Sequence, residues 1–281
     1  MSLLNLPEIR AEHALSKAQF DTRQDAMERW HPEFRAAAED DNTISIYDPI
    51  GERWDGNGVT VKRISAALRS IGSKDVVVNI NSPGGNFFEG VSIYNALREH
   101  KGKVTVQVMG LAASAASVIA MAGDEIKMGD GTFLMIHNAW AVAVGNRHDF
   151  QSVVETLEPF DAAMAQVYAA RSGLEVSAIV AMMDKETWIG AHKAIEDGFA
   201  TGLLDSAQVK KDASASTETR ALALVEASMA QAGYTRSERR DVLKNLFSSK
   251  PGAAGSSTTP SAGNKPFADD LRTLLNTIQG N

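Results

Sequence analysis

Between residues 43 and 205 the apolar and polar positions alternate between two rhythms, one with the period of a strand and one with the period of a helix. Thr43-Ile44-Ser45-Ile46-Tyr47 alternates residue by residue, which predicts a strand with one buried face. After the Gly/Asp-rich stretch 48–58, Val61, Ile64, Leu68 and Ile71 recur at three- and four-residue steps, which predicts an amphipathic helix. Val76-Val77-Val78-Asn79-Ile80 is largely apolar, as in a sheet covered on both faces. It runs into Asn81-Ser82-Pro83-Gly84-Gly85 and a helix with Phe87, Val91, Tyr94 and Leu97 on one side. Val104 to Val108 is the next strand, followed by a helix from Ala115 to Ala122. A β-α-β-α-β-α order predicts right-handed crossovers and a mostly parallel sheet, with functional loops at the carboxyl ends of the strands.

Further along, Glu125–Met128 and Thr132–Ile136 flank Gly129-Asp130-Gly131 and predict a hairpin-like pair of strands, with His137 at the end of the second. A long helical pattern then runs from Phe150 to Tyr168, with Pro159 expected to kink or interrupt it and Gly173 ending it. A short helix at 176–183, the segment Glu186-Thr187-Trp188-Ile189, a helix at 191–197 and a strand-like stretch at 201–204 complete this region.

The flanks read differently. Residues 1–42 are polar with scattered apolar positions, an N-terminal arm that either contacts a neighbouring subunit or partner or is a partly disordered tail. Residues 206–247 form a helical C-terminal extension, linker-like over Lys210–Thr219, with Thr235-Arg236-Ser237-Glu238 as a capping box. Residues 248–266 read as a flexible Ser/Thr/Gly/Pro linker, and 267–281 as a terminal peptide that is an interaction element or a dispensable tail.

The bulk numbers exclude more than they assign. A hydrophobic content of 44% fits a globular protein with a sizeable core. The formal net charge of −7 argues against a nucleic-acid surface. With Cys 0, disulfides, thiolate metal sites and a cysteine nucleophile are excluded, consistent with a reducing compartment. The N-terminus meets charges too early for a secretory signal, and no apolar run reaches the ~20 residues of a membrane span, so a cytoplasmic protein is expected.

The chemistry concentrates in two turns of small residues at strand ends, 81–86 and 109–115. Ser114 sits on a strand-to-helix turn, where a hydroxyl can be exposed beside helix N-terminal amides. A serine needs a base, and His137 is of the right type; a carboxylate then orients the imidazole. Ser117 is a rival nucleophile, and Gly, Ala and Ser here can equally be small residues packing a helix against a sheet.

These residues resemble the Clp protease proteolytic subunit (ClpP) family, and within it the ClpP-like head maturation (prohead) proteases of phages. The resemblance rests on five ordered motifs within 43–205: Asn81–Gly85, Gly90–Tyr94, Gly110–Ser114, Met135–Asn138, and Thr187–Ala191 with Ala194–Gly198. It implies a ClpP/crotonase-type α/β fold of repeated β-β-α units, a serine protease domain over 43–205, and homo-oligomeric rings. By position it makes Ser114 the nucleophile, His137 the base, and Gly85 and Ala115 the oxyanion-hole donors. Glu186 falls at the third triad position, where the family has aspartate, with Asp184 as the rival orienter. No metal or organic cofactor is required. The implied reaction is hydrolysis of polypeptide substrates through an acyl-enzyme. The leading setting is trimming of scaffold and capsid proteins during phage head assembly. Alternatives are a degradative subunit working under an ATPase and an inactive scaffold or ring subunit. A crotonase-type acyl-CoA enzyme or a Ser–Lys membrane peptidase would share the architecture but not the Ser–His pair.

Overall fold

A computed structural model describes Pro7 and residues 18–19, 21–54, 56, 58–212 and 217–248 of the protein. Residues 249–266 of the expected linker, the terminal peptide at 267–281 and most of the first 17 residues lie outside the described residues.

The chain opens with three short elements, β1 (Ala18–Gln19), α1 (Gln24–Arg29) and β2 (Phe34–Ala36). The alternating layer follows: β3 (Thr43–Ile46), α2 (Val61–Ile71), β4 (Val76–Ser82), α3 (Phe87–Arg98), β5 (Val104–Ala113), α4 (Ala115–Ala120), β6 (Glu125–Met128) and β7 (Phe133–Ile136). After β8 (Val142–Ala143) come the long α5 (Arg147–Ser172), α6 (Val176–Asp184), β9 (Thr187–Gly190), α7 (Ala191–Glu196), β10 (Gly202–Leu203) and β11 (Val209–Lys211). Two helices, α8 (Thr217–Gln231) and α9 (Arg236–Ser248), end the described chain.

The central sheet has seven strands in the order β10-β6-β5-β4-β3, with β7 joining β5 and β9. All its pairings are parallel except β7 with β9. The apolar strands belong here because one face is fully covered, with Val76, Val78, Ile80, Val104, Val106 and Val108 all buried, and the other is partly covered, with Val77, Thr105 and Gln107 half-buried and Asn79 buried. The helices show the expected punctuation. Thr60 caps α2 through Oγ1, which accepts the Arg63 N–H, and Ile64, Leu68 and Ile71 form its buried stripe. Asn86 caps α3 in the same way, accepting from Glu89 N–H at 3.0 Å.

Four expectations are corrected. First, β6 and β7 do not form a hairpin. β5 is long enough to take β6 beside its first half (Thr105–Val108) and β7 beside its last three residues, both parallel. The Gly129–Thr132 turn steps from one to the other. Second, α5 runs uninterrupted through Pro159. Its proline removes one backbone bond, whereas burial of Phe160, Met164, Val167 and Tyr168 holds the following turns. Third, Val209–Lys211 is no linker but a strand paired antiparallel with Phe34–Ala36. Fourth, residues 21–36 of the arm pack on the chain's own core. Ala26, Met27 and Trp30 are fully buried among Leu111, Ala113, Met135 and Ala227 of α8.

One side chain joins several of these layers. Between Ile80 and Ser82 the β4–β5 register shifts, and Asn81 fills the irregularity. Its Oδ1 accepts the Leu111 N–H at 3.1 Å, and its Nδ2 donates to the carbonyls of His31 (2.7 Å) and Phe34 (2.9 Å). A Cβ at position 110 would come within 2.7 Å of Asn81 Oδ1, so this approach requires Gly110. Trp30 Nε1 completes the joint by donating to the Asn81 carbonyl at 2.9 Å.

Candidate active site

Ser114 stands between the end of β5 and the start of α4, with φ 55° and ψ −125°. Among the described non-glycine residues only Ser114 and Glu186 have positive φ, and such strain is costly enough to persist only where the surroundings enforce it. The enforcement is visible. Ser114 N–H donates to the Met135 carbonyl at 2.9 Å, while its own carbonyl accepts Ser117 Oγ at 2.6 Å. Ser117 is fully buried and also lies 2.8 Å from the Tyr168 hydroxyl. Ser117, the rival nucleophile, is thus a buried strut beneath the turn.

His137 sits just past the end of β7, which runs parallel to β5, so the two strand ends bring the side chains together. His137 Nε2 lies 2.7 Å from Ser114 Oγ. Burial lowers the imidazole pKa to about 4, helped by the positive charge of Arg23 and opposed by Asp25 and the Asn138 backbone. At neutral pH the ring is therefore uncharged, the form that accepts a proton from serine.

Gly84 and Gly85 form the facing loop with φ 88° and 145°, backbone open only to glycine. A Cβ on Gly84 would meet Ser114 Cβ at 2.7 Å, and one on Gly85 would meet the Ile50 carbonyl at 2.3 Å. Ile50 pairs with this loop through the Gly84 carbonyl and the Asn86 N–H, and among the described residues the Gly85 N–H has no acceptor. Ala115 occupies the first turn of α4, where backbone N–H groups have no intrahelical acceptor.

The carboxylates are arranged differently from the triad that the sequence implies. Glu186 is held by Arg23, with Nη1–Oε1 at 2.6 Å and Nη2–Oε2 at 2.7 Å. Asp184 accepts from Asn138 Nδ2 at 2.8 Å. Among the described residues neither carboxylate is hydrogen-bonded to His137. A third acid, Asp161 on α5, accepts the Ala139 N–H at 2.5 Å, and burial raises its pKa to about 6. Arg23, Tyr168 and Asp161 carry no motif; each joins the site only through long-range packing. Among the described residues no group of three or more His, Asp or Glu is placed to hold a metal, and no helix is long and apolar enough to cross a membrane.

A serine on a strained strand-to-helix turn, hydrogen-bonded to an uncharged histidine beside a glycine loop, defines an α/β protein equipped for nucleophilic chemistry. The Clp protease family matches residues 32–207, and the chain belongs to that family. It is 29% identical over 140 residues to an ATP-dependent Clp protease proteolytic subunit of Bacteroides fragilis, covering 49% of this chain and 66% of that one. It is 31% identical over 133 residues to the protein of the same name from Ligilactobacillus salivarius, covering 47% and 68%. The aligned part thus spans about two thirds of these relatives. Among solved structures, a point mutant of ClpP1 from Listeria monocytogenes aligns with a TM-score of 0.49 and 22% identity, over 59% of this chain and 92% of that one.

Proposed function

We propose that the protein is a serine endopeptidase working through an acyl-enzyme. The observation that carries this reading is the 2.7 Å contact between Ser114 Oγ and His137 Nε2 on a turn held in strained geometry. Ser114 Oγ attacks the scissile carbonyl carbon while its proton passes to His137 Nε2. The carbonyl oxygen becomes an oxyanion and takes the N–H groups of Gly85 and Ala115; such a donor is worth ~10²–10³ in rate. Collapse of the intermediate breaks the C–N bond, and His137 gives its proton to the leaving amine. Water, deprotonated by the same imidazole, then releases the acyl group and restores Ser114. Glu186 is the carboxylate we assign to orienting His137 during turnover, with Asp184 acting through Asn138 as the rival.

Intact-mass spectrometry after treatment with a fluorophosphonate tests this on wild type and Ser114→Ala. One adduct on wild type, absent from the mutant, is the expected result. No adduct on the folded protein, wild type and Arg23→Ala alike, overturns it and leaves an inactive ring or scaffold subunit.

For the setting, we propose trimming of scaffold and capsid proteins during phage head assembly, in a homo-oligomeric ring. Support comes from α1 and α8, which lie outside the family match and pack on the protease domain, from α9, which packs on α8 and Trp54, and from the exposed apolar side chains Phe150 and Val154 on α5. The names of the relatives favour the second reading, a degradative subunit under an ATPase. Cleavage of scaffold protein without nucleotide or ATPase supports the first; degradation only with an added Clp ATPase and ATP supports the second.

A further inference from the structure

The stretch from Asp21 to Trp30 lies across the site. Asp21 lines the cavity over Ser114 together with Gly85, Ala115 and His137, and that cavity has a volume of only ≈ 10 Å³. This is room for about one water molecule, far too little for a peptide. Two residues on, Arg23 takes both oxygens of Glu186, the acid at the strained position beside the Ser–His pair. Just before, Ala18 and Gln19 pair antiparallel with Ala143 and Val142, the short strand that follows His137 in the chain. Among the described residues β8 has no other strand partner. An open edge strand is where an extended peptide adds by backbone pairing, and here the chain's own segment takes it.

The segment is anchored from outside by the C-terminal helices. Arg239 of α9, itself buried, places Nη1 2.5 Å from Asp21 Oδ2 and a further bond at 3.2 Å on the Glu226 carbonyl. Arg220 of α8 donates to the Glu28 carbonyl. Trp30 and Met27 are buried against the catalytic layer, whereas Arg23 and Glu186 retain 21% and 40% side-chain exposure. The anchor is therefore firm at Trp30 and at Asp21, and the contact that engages Glu186 is the solvent-accessible one.

Resting on the protease reading, we propose that this segment is a plug of the substrate cleft: Ala18–Gln19 occupy the edge of β8, Asp21 fills the space over Ser114, and Arg23 diverts Glu186 from His137. The plugged chain is latent, and release of Asp21 from Arg239 together with release of Arg23 from Glu186 exposes Ser114 and frees Glu186.

The test measures the rate of fluorophosphonate labelling at Ser114 in three full-length proteins. These are wild type, Arg23→Ala, and Ala18→Cys combined with Ala143→Cys. The chain has Cys 0, so the engineered pair is unambiguous, and cross-strand neighbours lie within disulfide reach. Arg23→Ala is expected to label at least ~10-fold faster than wild type, since loss of the diverting cation returns Glu186 to the pair. The double-cysteine protein is expected to label at least ~10-fold slower oxidised than reduced, since the bridge holds the segment on β8 and the same folded molecule serves as its own control. Equal rates for oxidised and reduced protein, or no acceleration in Arg23→Ala, overturns the plug while leaving the protease reading in place. Absence of labelling in every form, reduced and Arg23→Ala included, overturns both.

Discussion

Tyr168, at the far end of a long helix, holds the nucleophile turn through a single hydroxyl. Its oxygen lies 2.8 Å from Ser117 Oγ, which donates to the carbonyl of Ser114 at 2.6 Å. Burial pushes the Tyr168 phenol pKa up, so it stays a neutral hydrogen-bonding group. Tyr168→Phe removes one buried hydrogen bond and leaves Ser117 its bond to Ser114. A loss of ~1 kcal/mol in chemical denaturation is expected, with slower labelling of Ser114.

Strain at Ser114 sets up a second comparison. Glycine adopts φ 55° freely, whereas alanine keeps the cost, and both lose the bond to His137. Ser114→Gly is therefore expected to be more stable than Ser114→Ala by ~1 kcal/mol or more, with both inactive. Paired urea melts would decide it.

The pH dependence of labelling follows from His137. Its pKa of about 4 means that the neutral base persists well into acid, so labelling should fall off only near that pH. Arg23 is the second contributor to the depression, after burial. Arg23→Ala is thus expected to move the acid limb upward, part of the way towards 6.5. The same shift makes the folded state acid-sensitive. The contribution of a neutral buried imidazole is complete above the unfolded value of 6.5 and is lost as the pH falls through about 4.

Asp161 has the opposite sign. Its carboxyl is raised from 3.8 to about 6, so between those values the folded protein holds a proton that the unfolded chain has released. Stability therefore declines as the pH rises through this window. Asp161→Asn keeps a neutral acceptor for the Ala139 N–H and should stabilise the protein by ~1–2 kcal/mol at pH 7, after discounting for partial exposure, but not at pH 4. Thermal unfolding at the two pH values would test this crossover.

The parts of the site legible in the sequence are those whose geometry is local. Ser114 and His137 each end an apolar strand, and glycines at 84 and 85 mark a backbone that other residues cannot follow. Parallel neighbours β5 and β7 then bring two strand ends side by side. What periodicity does not carry is pairing between distant polar residues. Arg23 lies in a stretch without apolar rhythm and meets Glu186 across 163 positions. The Gly129–Gly131 turn has hairpin composition, but the extra length of β5 outweighs that local preference. Lys210 and Lys211 read as linker because a two-stranded ribbon at the surface needs no apolar alternation. Trp30 and Met27 stand among charges in the sequence, and only the surface offered by Leu111, Ala113 and Met135 explains their burial.

The bond between Asp21 and Arg239 joins the first part of the described chain to the last. During synthesis the Ser–His layer and the segment over it leave the ribosome well before α8 and α9. At ~5–20 residues per second, the interval from His137 to Arg239 of α9 is about 5–20 s. For that time the nascent chain carries its segment without the outer clasp. The order of translation thus acts as a timer, and ribosome-stalled chains ending before α8 are the species in which Ser114 should be most open.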